Sequence, residues 1–596
     1  MNYLNKALKA HQAGNLSEAE RLYLLQLQHS PEDPNAKQLL GVVYSSMGKL
    51  DRALSLMEQS LLLNPRQPHV ANNLALCYKK AGNLDKSFQF FETAINLQAD
   101  YFEAHKNLIS LLITNKKDYR QAELKLDAAL LLWPENEKLL EYFASLKKDT
   151  QQYNESLLVY KKLVKTNPEK VSYKHNLAVV YRLVGKPKEA LAYLLPLYSA
   201  GLETFELAHN IANAYSDLGD LHAAVKFYKI SIQLNPEYVK SHQNLNDTLW
   251  ELDEKSSFLN SYLDAFKIVG YTSSSLCFSY VRSLLRISNY DGALKFLYTL
   301  PGDYWEQSEY VDLLAQSHYG LGNIEQALIT HEKILTLQDT TVSHRLNYIK
   351  NLIVNDNIAI ATELLREIID VNPLEQLALA YLDTCMRIAS ASEEQSLPVY
   401  TELVRDYTIN IPEGFNSINE FCSKLTEYLE SLHTGKQSPL EQTLQGGTQT
   451  RGNLFNDDNP LIQSLITQFR ACITNYIKQT NYLTTTEFEF SGSWSVRLSD
   501  QGFHTSHVHP MGQISSVFYV SLPESMKNGV DKKGWLKFGE PNLKLKSPLP
   551  VAHFVKPSVG KLVLFPSYMW HGTVPFDDEG VRMTIAFDIA DKFNCV

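Results

Sequence analysis

Leu40-Gly41-Val-Val-Tyr44-Ser-Ser-Met-Gly48-Lys-Leu-Asp-Arg-Ala53, closing at Asn64-Pro65, decides the fold of most of this chain, because it recurs. The next copy reads Leu74-Ala75-Leu-Cys-Tyr78-Lys-Lys-Ala-Gly82, then Ser87 and Phe91. Later copies place Leu177-Ala178, Tyr181, Gly185 and Ala190, then Ile211-Ala212, Tyr215, Gly219, Ala224 and Pro236. The period is near 34 residues, the length of a helix–turn–helix unit. Each recurring residue has a packing reason. A small residue follows the large aliphatic one where two helices of a unit cross closely, and a second alanine (53, 190, 224) marks the next close approach. Glycine stands where the first helix ends, a position that favours a left-handed cap. Pro65, Pro134, Pro168, Pro236 and Pro373 follow second helices and stop them.

These positions strongly resemble the tetratricopeptide repeat. About eleven copies are expected over residues 1–400, degenerate between 240 and 310, where a diverged repeat is favoured over a bend; a copy returns at Leu314-Ala315, Gly322 and Ala327. The resemblance implies an all-α superhelix whose concave surface takes an extended peptide or protein. Tyr44, Tyr78, Tyr181 and Tyr215 recur at fixed places and are expected to pack rather than to bind.

Composition sets the bounds. With 596 residues the chain exceeds one compact core. An apolar fraction of 44% and a charged fraction of 20% are those of an ordinary folded protein. A net charge of -10 with interspersed signs does not suggest a nucleic-acid surface. No apolar run approaches the roughly 20 residues that span a bilayer, and the N-terminus does not resemble a secretory signal. The six cysteines are scattered without a CxxC pair, which fits free thiols in a reducing compartment. A cytoplasmic protein is expected.

From residue 405 the pattern changes. Helices are expected at 416–432 and 459–481, separated by a polar, glycine-containing stretch at 437–452. From 486 onward, period-two alternation and β-branched content predict seven or eight short strands, with turns at 499–502, 524–534, 539–542 and 575–580. That is a double-sheet barrel or jelly roll, a double-stranded β-helix with flanking helices. The organisation read from the sequence is therefore multidomain, with repeats at 1–400, a helical lead-in at 405–485 and a β core at 486–596.

Histidines concentrate in that core, at His504-Thr-Ser-His507-Val-His509-Pro and at Trp570-His571-Gly. In an extended segment His507 and His509 point to one side and Val508 to the other, while His504 has the opposite parity and needs a bulge to join them. A hairpin near 574–580 would put Arg582 and Thr584 on one face close to His571. A close histidine pair, a distant histidine and a following basic residue suit a divalent iron with open positions beside a carboxylate.

Gly446-Gly-Thr-Gln-Thr, Trp494-Ser-Val-Arg-Leu, Gly502-Phe-His-Thr-Ser-His-Val-His-Pro, Ser516-Val-Phe-Tyr519-Val and Leu564-Phe-Pro-Ser-Tyr-Met-Trp-His571-Gly-Thr together resemble the prolyl-hydroxylase-like iron(II)- and 2-oxoglutarate-dependent oxygenases, and a bacterial branch in which tetratricopeptide repeats precede such a domain. The resemblance implies His571 as the distal iron ligand, to which strand parity adds His507 and His509, with His504 as the alternative. It implies a 2-oxoglutarate carboxylate on Arg582, supported by Tyr519 and Thr584, with Arg497 lining the same pocket. It also implies hydroxylation of a protein or peptide side chain recruited by the repeats. Two other readings stay open: an interaction scaffold with an inactive oxygenase fold, and a hydroxylase of a small metabolite. One departure matters. The family motif is His-x-Asp or His-x-Glu, but here it is His507-x-His509, and the nearest acid in sequence, Asp500, lies in an expected turn. Trp494, Trp535 and Phe565 are expected to pack the barrel, and His553 and His318 to be ordinary surface or core histidines.

Overall fold

The computed structural model describes residues 3–389, 398–433, 443–528, 531–578 and 580–590. By contacts the chain divides into two compact units, Met1–Val180 and Tyr181–Cys595, so the division falls within the repeats.

Antiparallel helix pairs build the repeats, from Tyr3–Gln12 with Leu16–His29 through to Val342–Val354 with Ile358–Val371. The small residues are where helices cross: Gly41 backs onto Met57, and Ala53, Ala190 and Ala224 are fully buried. Gly48 and Gly82 adopt φ of +76° and +79°, the left-handed caps that end their helices. Tyr44 and Tyr78 are buried, while Tyr181 and Tyr215 are half-buried and stack on Tyr193 and Phe227. Where the sequence signature fades, the helices persist as Val239–Glu251, Asn260–Val269, Ser274–Arg286 and Tyr290–Leu297. Aromatic rings pack there beside the buried Ala265 and Ala293: Phe266, Tyr280 and Phe296 have centroids 4.7–5.6 Å apart.

The C-terminal part is a curled pair of antiparallel sheets. In chain order its strands are β1 (Arg405–Thr408), β2 (Leu444–Gln449), β3 (Glu489–His504), β4 (Ile514–Ser521), β5 (Leu536–Phe538), β6 (His553–Val555), β7 (Lys561–Pro566), β8 (His571–Thr573) and β9 (Arg582–Ala590). The larger sheet runs β1-β7-β4-β9-β3-β2 and the smaller β6-β5-β8. β1 and β2 lie in the segment that the sequence pattern reads as helical lead-in and polar loop. Both are edge strands, so burial does not impose a hydrophobic alternation on them. Residues 499–502, expected as a turn, form a bulge inside β3: its pairing with β2 jumps from Leu498 to Phe503, with Gln501 at φ +60°. The 524–534 turn region contains a short helix, Glu524–Asn528.

The two faces of the larger sheet have different work. Met583, Ile585, Phe587 and Ile589 of β9, with Ile514 and Phe518 of β4, pack under helices Ile418–Leu432 and Pro460–Thr480. Phe469 from the second helix sits 5.2 Å from Phe518 and 5.0 Å from Phe587. Alternation then sends Arg582, Thr584, Ala586 and Asp588 to the opposite face, between the sheets. The helices thus clamp β9 from behind and aim its polar face at the interior.

Candidate metal and carboxylate site

Three histidines meet between the sheets. His571 opens β8 and forms an antiparallel bridge with His507: His507 N–H donates to the His571 carbonyl at 2.9 Å, and the return bond is 3.0 Å. His509 N–H donates to the Ser567 carbonyl at 3.1 Å, which ties the segment to the turn after β7. Val508 packs the other way, against the cluster of Tyr381 and Trp570. Ring centroids lie 4.3 Å apart for His507–His571 and 5.0 Å apart for the other two pairs. One ring nitrogen of each lies within 4.8 Å of the others, an arrangement able to hold a metal ion.

The second nitrogens say which atoms face the metal. His507 Nδ1 lies 2.8 Å from the Thr505 carbonyl and His571 Nδ1 lies 2.9 Å from the Met569 carbonyl. A carbonyl oxygen only accepts, so both Nδ1 atoms carry the proton and both Nε2 atoms present a lone pair. Burial and neighbouring imidazoles push His507 down to about 3 and His571 well below its ordinary value. Both are therefore neutral near pH 7, the state a metal ligand needs.

His509 differs. Its Nδ1 lies 2.7 Å from both oxygens of Asp588, and Ser515 Oγ donates to the same carboxylate at 2.6 Å. Burial works to lower the His509 pKa, but the charge and hydrogen bond of Asp588 outweigh it and the net shift is upward. An acid therefore does touch the cluster, contrary to the sequence reading that found only Asp500. It arrives from β9, and the parity that places Arg582 and Thr584 inward places Asp588 inward too. His504 is half-buried beside the trio, 5.7 Å from the His507 ring with Nδ1 3.1 Å from Thr443 Oγ1, and is not among the three converging ligands.

Arg582 supplies the second half of the site. Its side chain is 2% exposed, its Nε has no hydrogen-bond partner, and no carboxylate among the described residues pairs with it. Its guanidinium lies 5.2 Å from the ring of Tyr519, whose buried hydroxyl is also without a partner. Burial lowers the Arg582 pKa and raises that of Tyr519. Thr584 stands opposite Tyr519 in the β4–β9 register and lines the same cavity as the histidines. Arg497 does not: Trp494 and Val496 of β3 line the cavity, so alternation turns Arg497 to the other face, where burial, together with the Arg497 charge, holds His433 down at about 4. A buried cation and a buried hydroxyl left unsatisfied are costly. They fit a site built for an anion with a flat, two-oxygen head.

Residues 492–588 match the family described as "Putative 2OG-Fe(II) oxygenase". Tetratricopeptide-repeat models match residues 10–77, 45–112 and 205–238. The chain joins tetratricopeptide repeats to a 2OG-Fe(II) oxygenase-family domain. Among solved structures, yeast Tom70 is 15% identical over 67% of this chain and 97% of its own, with a TM-score of 0.37. A tetratricopeptide repeat protein from Parabacteroides merdae is 20% identical over 42% and 98%, with a TM-score of 0.33. Pseudomonas aeruginosa PilF is 16% identical over 35% and 95%, with a TM-score of 0.30. No curated protein sequence matches the chain.

Around the histidine site the remaining expectations divide. Phe565 is buried with its ring 4.7 Å from His571, and Trp494 packs 5.8 Å from His509. Trp535 is only half-buried. His553 lies against Phe538, and His318 is buried in a repeat helix. A larger cavity, about 730 Å³ beside Cys422, Glu430 and Lys556, lies elsewhere and is lined by no histidine.

Proposed function

We propose that this protein is an iron(II)- and 2-oxoglutarate-dependent dioxygenase that hydroxylates a side chain of a protein or peptide recruited by its repeats. The observation that carries the reading is the buried, acid-free Arg582 on the same inward face as the histidine trio. His507, His509 and His571 would hold the iron through Nε2. Arg582 would take the far carboxylate of 2-oxoglutarate through its planar fork, with Tyr519 and Thr584 adding hydroxyl contacts. Bound there, the metal and keto acid supply oxygen activation coupled to oxidative decarboxylation. Phe565 and Trp494 shield the ligands from water, and the two carbonyl bonds at Nδ1 keep His507 and His571 in the metal-binding tautomer.

The division of labour places the repeats before residue 400 and the catalytic domain from 405. Contacts within the second unit support a joint role. Trp570 Nε1 donates to Thr384 Oγ1 at 3.2 Å, directly beside His571, and Arg387 donates to the Pro550 carbonyl at 2.7 Å. Arg451 pairs with Glu251, and Asn456 Nδ2 donates to the Leu183 carbonyl at 2.9 Å. A partner held by these repeats would therefore stand at a fixed place relative to the metal. A cytoplasmic setting agrees with five free cysteines among the described residues, and no described helix is long and apolar enough to cross a membrane.

The test is spectroscopic. Anaerobic full-length protein with iron(II) should develop a visible charge-transfer band on adding 2-oxoglutarate, and His571→Ala should lose it. Intact protein that gives no band refutes the proposal. Affinity capture on the full chain, followed by mass spectrometry for an added oxygen atom, then tests the protein substrate.

A further inference from the structure

We infer that Asp588 is the acid of the metal centre, a positioning residue that delivers its charge through His509 instead of binding the metal itself. The inference rests on the proposed metal site and goes beyond it, because neither the histidine motif nor the keto-acid pocket calls for this residue.

Three imidazoles are neutral ligands and leave a divalent ion's charge uncompensated within the site. Asp588 is 9% exposed, and no lysine or arginine among the described residues pairs with it. Both of its oxygens lie 2.7 Å from His509 Nδ1. A carboxylate in that position accepts the Nδ1 proton, selects the tautomer with a free Nε2, and makes that nitrogen a stronger donor to a metal. His507 and His571 receive only a neutral carbonyl at the same atom, so His509 is singled out.

The surroundings are built to hold the carboxylate still. Ser515, its register partner on β4, donates to it at 2.6 Å, and Ser515 Oγ in turn lies 2.8 Å from Ser567 Oγ. Gly512 makes room for the arrangement: a Cβ there would lie 2.7 Å from Ser567 Oγ and 3.1 Å from Asp588 Cβ. The backbone locks on both sides, with Gly512 N–H donating to the His509 carbonyl at 3.2 Å and Gln513 N–H to the Ile589 carbonyl at 2.8 Å.

Cobalt(II) titration of the full-length protein tests this, read by visible d–d bands and by the dissociation constant. Asp588→Asn keeps the size and removes the charge, and its amide can donate to Nδ1 and force the wrong tautomer. It should weaken cobalt binding about 10- to 100-fold, the range for lost outer-sphere carboxylates, and shift the d–d bands, with thermal unfolding of the metal-free protein little changed. Ser515→Ala, which keeps the charge but loosens it, should weaken binding a few-fold and serves if Asp588→Asn does not fold. Wild-type affinity and an unshifted spectrum in both variants overturn the inference and leave the proposed function standing. A wild-type protein that binds no cobalt overturns both.

Discussion

Replacing Arg582 by methionine separates a binding arginine from a structural one. A structural arginine in a core pays its desolvation through an ion pair, and removing it leaves a partner stranded, at a cost of about 3–5 kcal/mol. Arg582 has no acidic partner among the described residues and an unbonded Nε. Nothing is stranded when it goes, and the guanidinium's own burial penalty disappears. Swapping buried charge for an apolar side chain of similar length is neutral or stabilising by about 1–4 kcal/mol in comparable sites. Ligand-free Arg582→Met should therefore melt no lower than wild type in differential scanning fluorimetry. Binding moves the other way: losing one partner of a desolvated, hydrogen-bonded charge pair costs about 2–5 kcal/mol, so at least roughly 30-fold in the dissociation constant for 2-oxoglutarate. Anaerobic calorimetry with the cobalt-loaded protein measures it. Arg582→Lys should fall between, since an ammonium keeps the charge but not the fork. Retention of wild-type keto-acid affinity, or a several-kcal/mol loss of ligand-free stability, refutes the reasoning.

Two further perturbations reach other parts of the molecule. His209 is buried, with Nδ1 2.9 Å from Ser241 Oγ, and burial lowers its pKa to about 4. The unfolded chain thus takes up this proton first as pH falls, so its contribution is intact above pH 6.5 and is lost progressively toward pH 4, by on the order of 3 kcal/mol in total. His209→Gln should flatten that part of the stability–pH curve in denaturant titrations between pH 7 and 5; an unchanged slope contradicts the assignment. At Gly572 an added Cβ would lie 2.8 Å from the His504 carbonyl oxygen and 3.2 Å from Ser506 N, both backbone atoms that cannot swing aside. Gly572→Ala should cost about 1–3 kcal/mol, part the His507–His571 bridge, and weaken cobalt binding at least tenfold; a variant that melts and binds like wild type rules out this close approach.

How much of the site was legible follows from strand parity. Period two correctly grouped His507 with His509 and Arg582 with Thr584. Carried two steps further along Arg582-Met-Thr-Ile-Ala-Phe-Asp588, the same rule reaches Asp588, whose polar parity against a Met-Ile-Phe-Ile face was the available signal. Arg497 shows the converse. Its neighbours Trp494 and Val496 line the cavity, so the count had to start from the correct inward residue, and only burial gives that starting point.

The chain's order of residues determined the helical repeats and the change to strands, because helix crossings demand small residues at fixed intervals and pleated strands demand alternation, and both are local constraints. It also determined which residue types could hold a metal. The tertiary structure decided what depends on residues distant along the chain: that aromatic packing carries the repeats through 240–310, that β1 and β2 join the larger sheet, and that a β9 acid reaches an imidazole 79 positions earlier. Pairing between strands leaves no mark at either partner alone, since a hydrogen bond from His509 to Asp588 asks only for a histidine and an aspartate, and the register of β4 against β9 sets Asp588 opposite Ser515, six residues after His509.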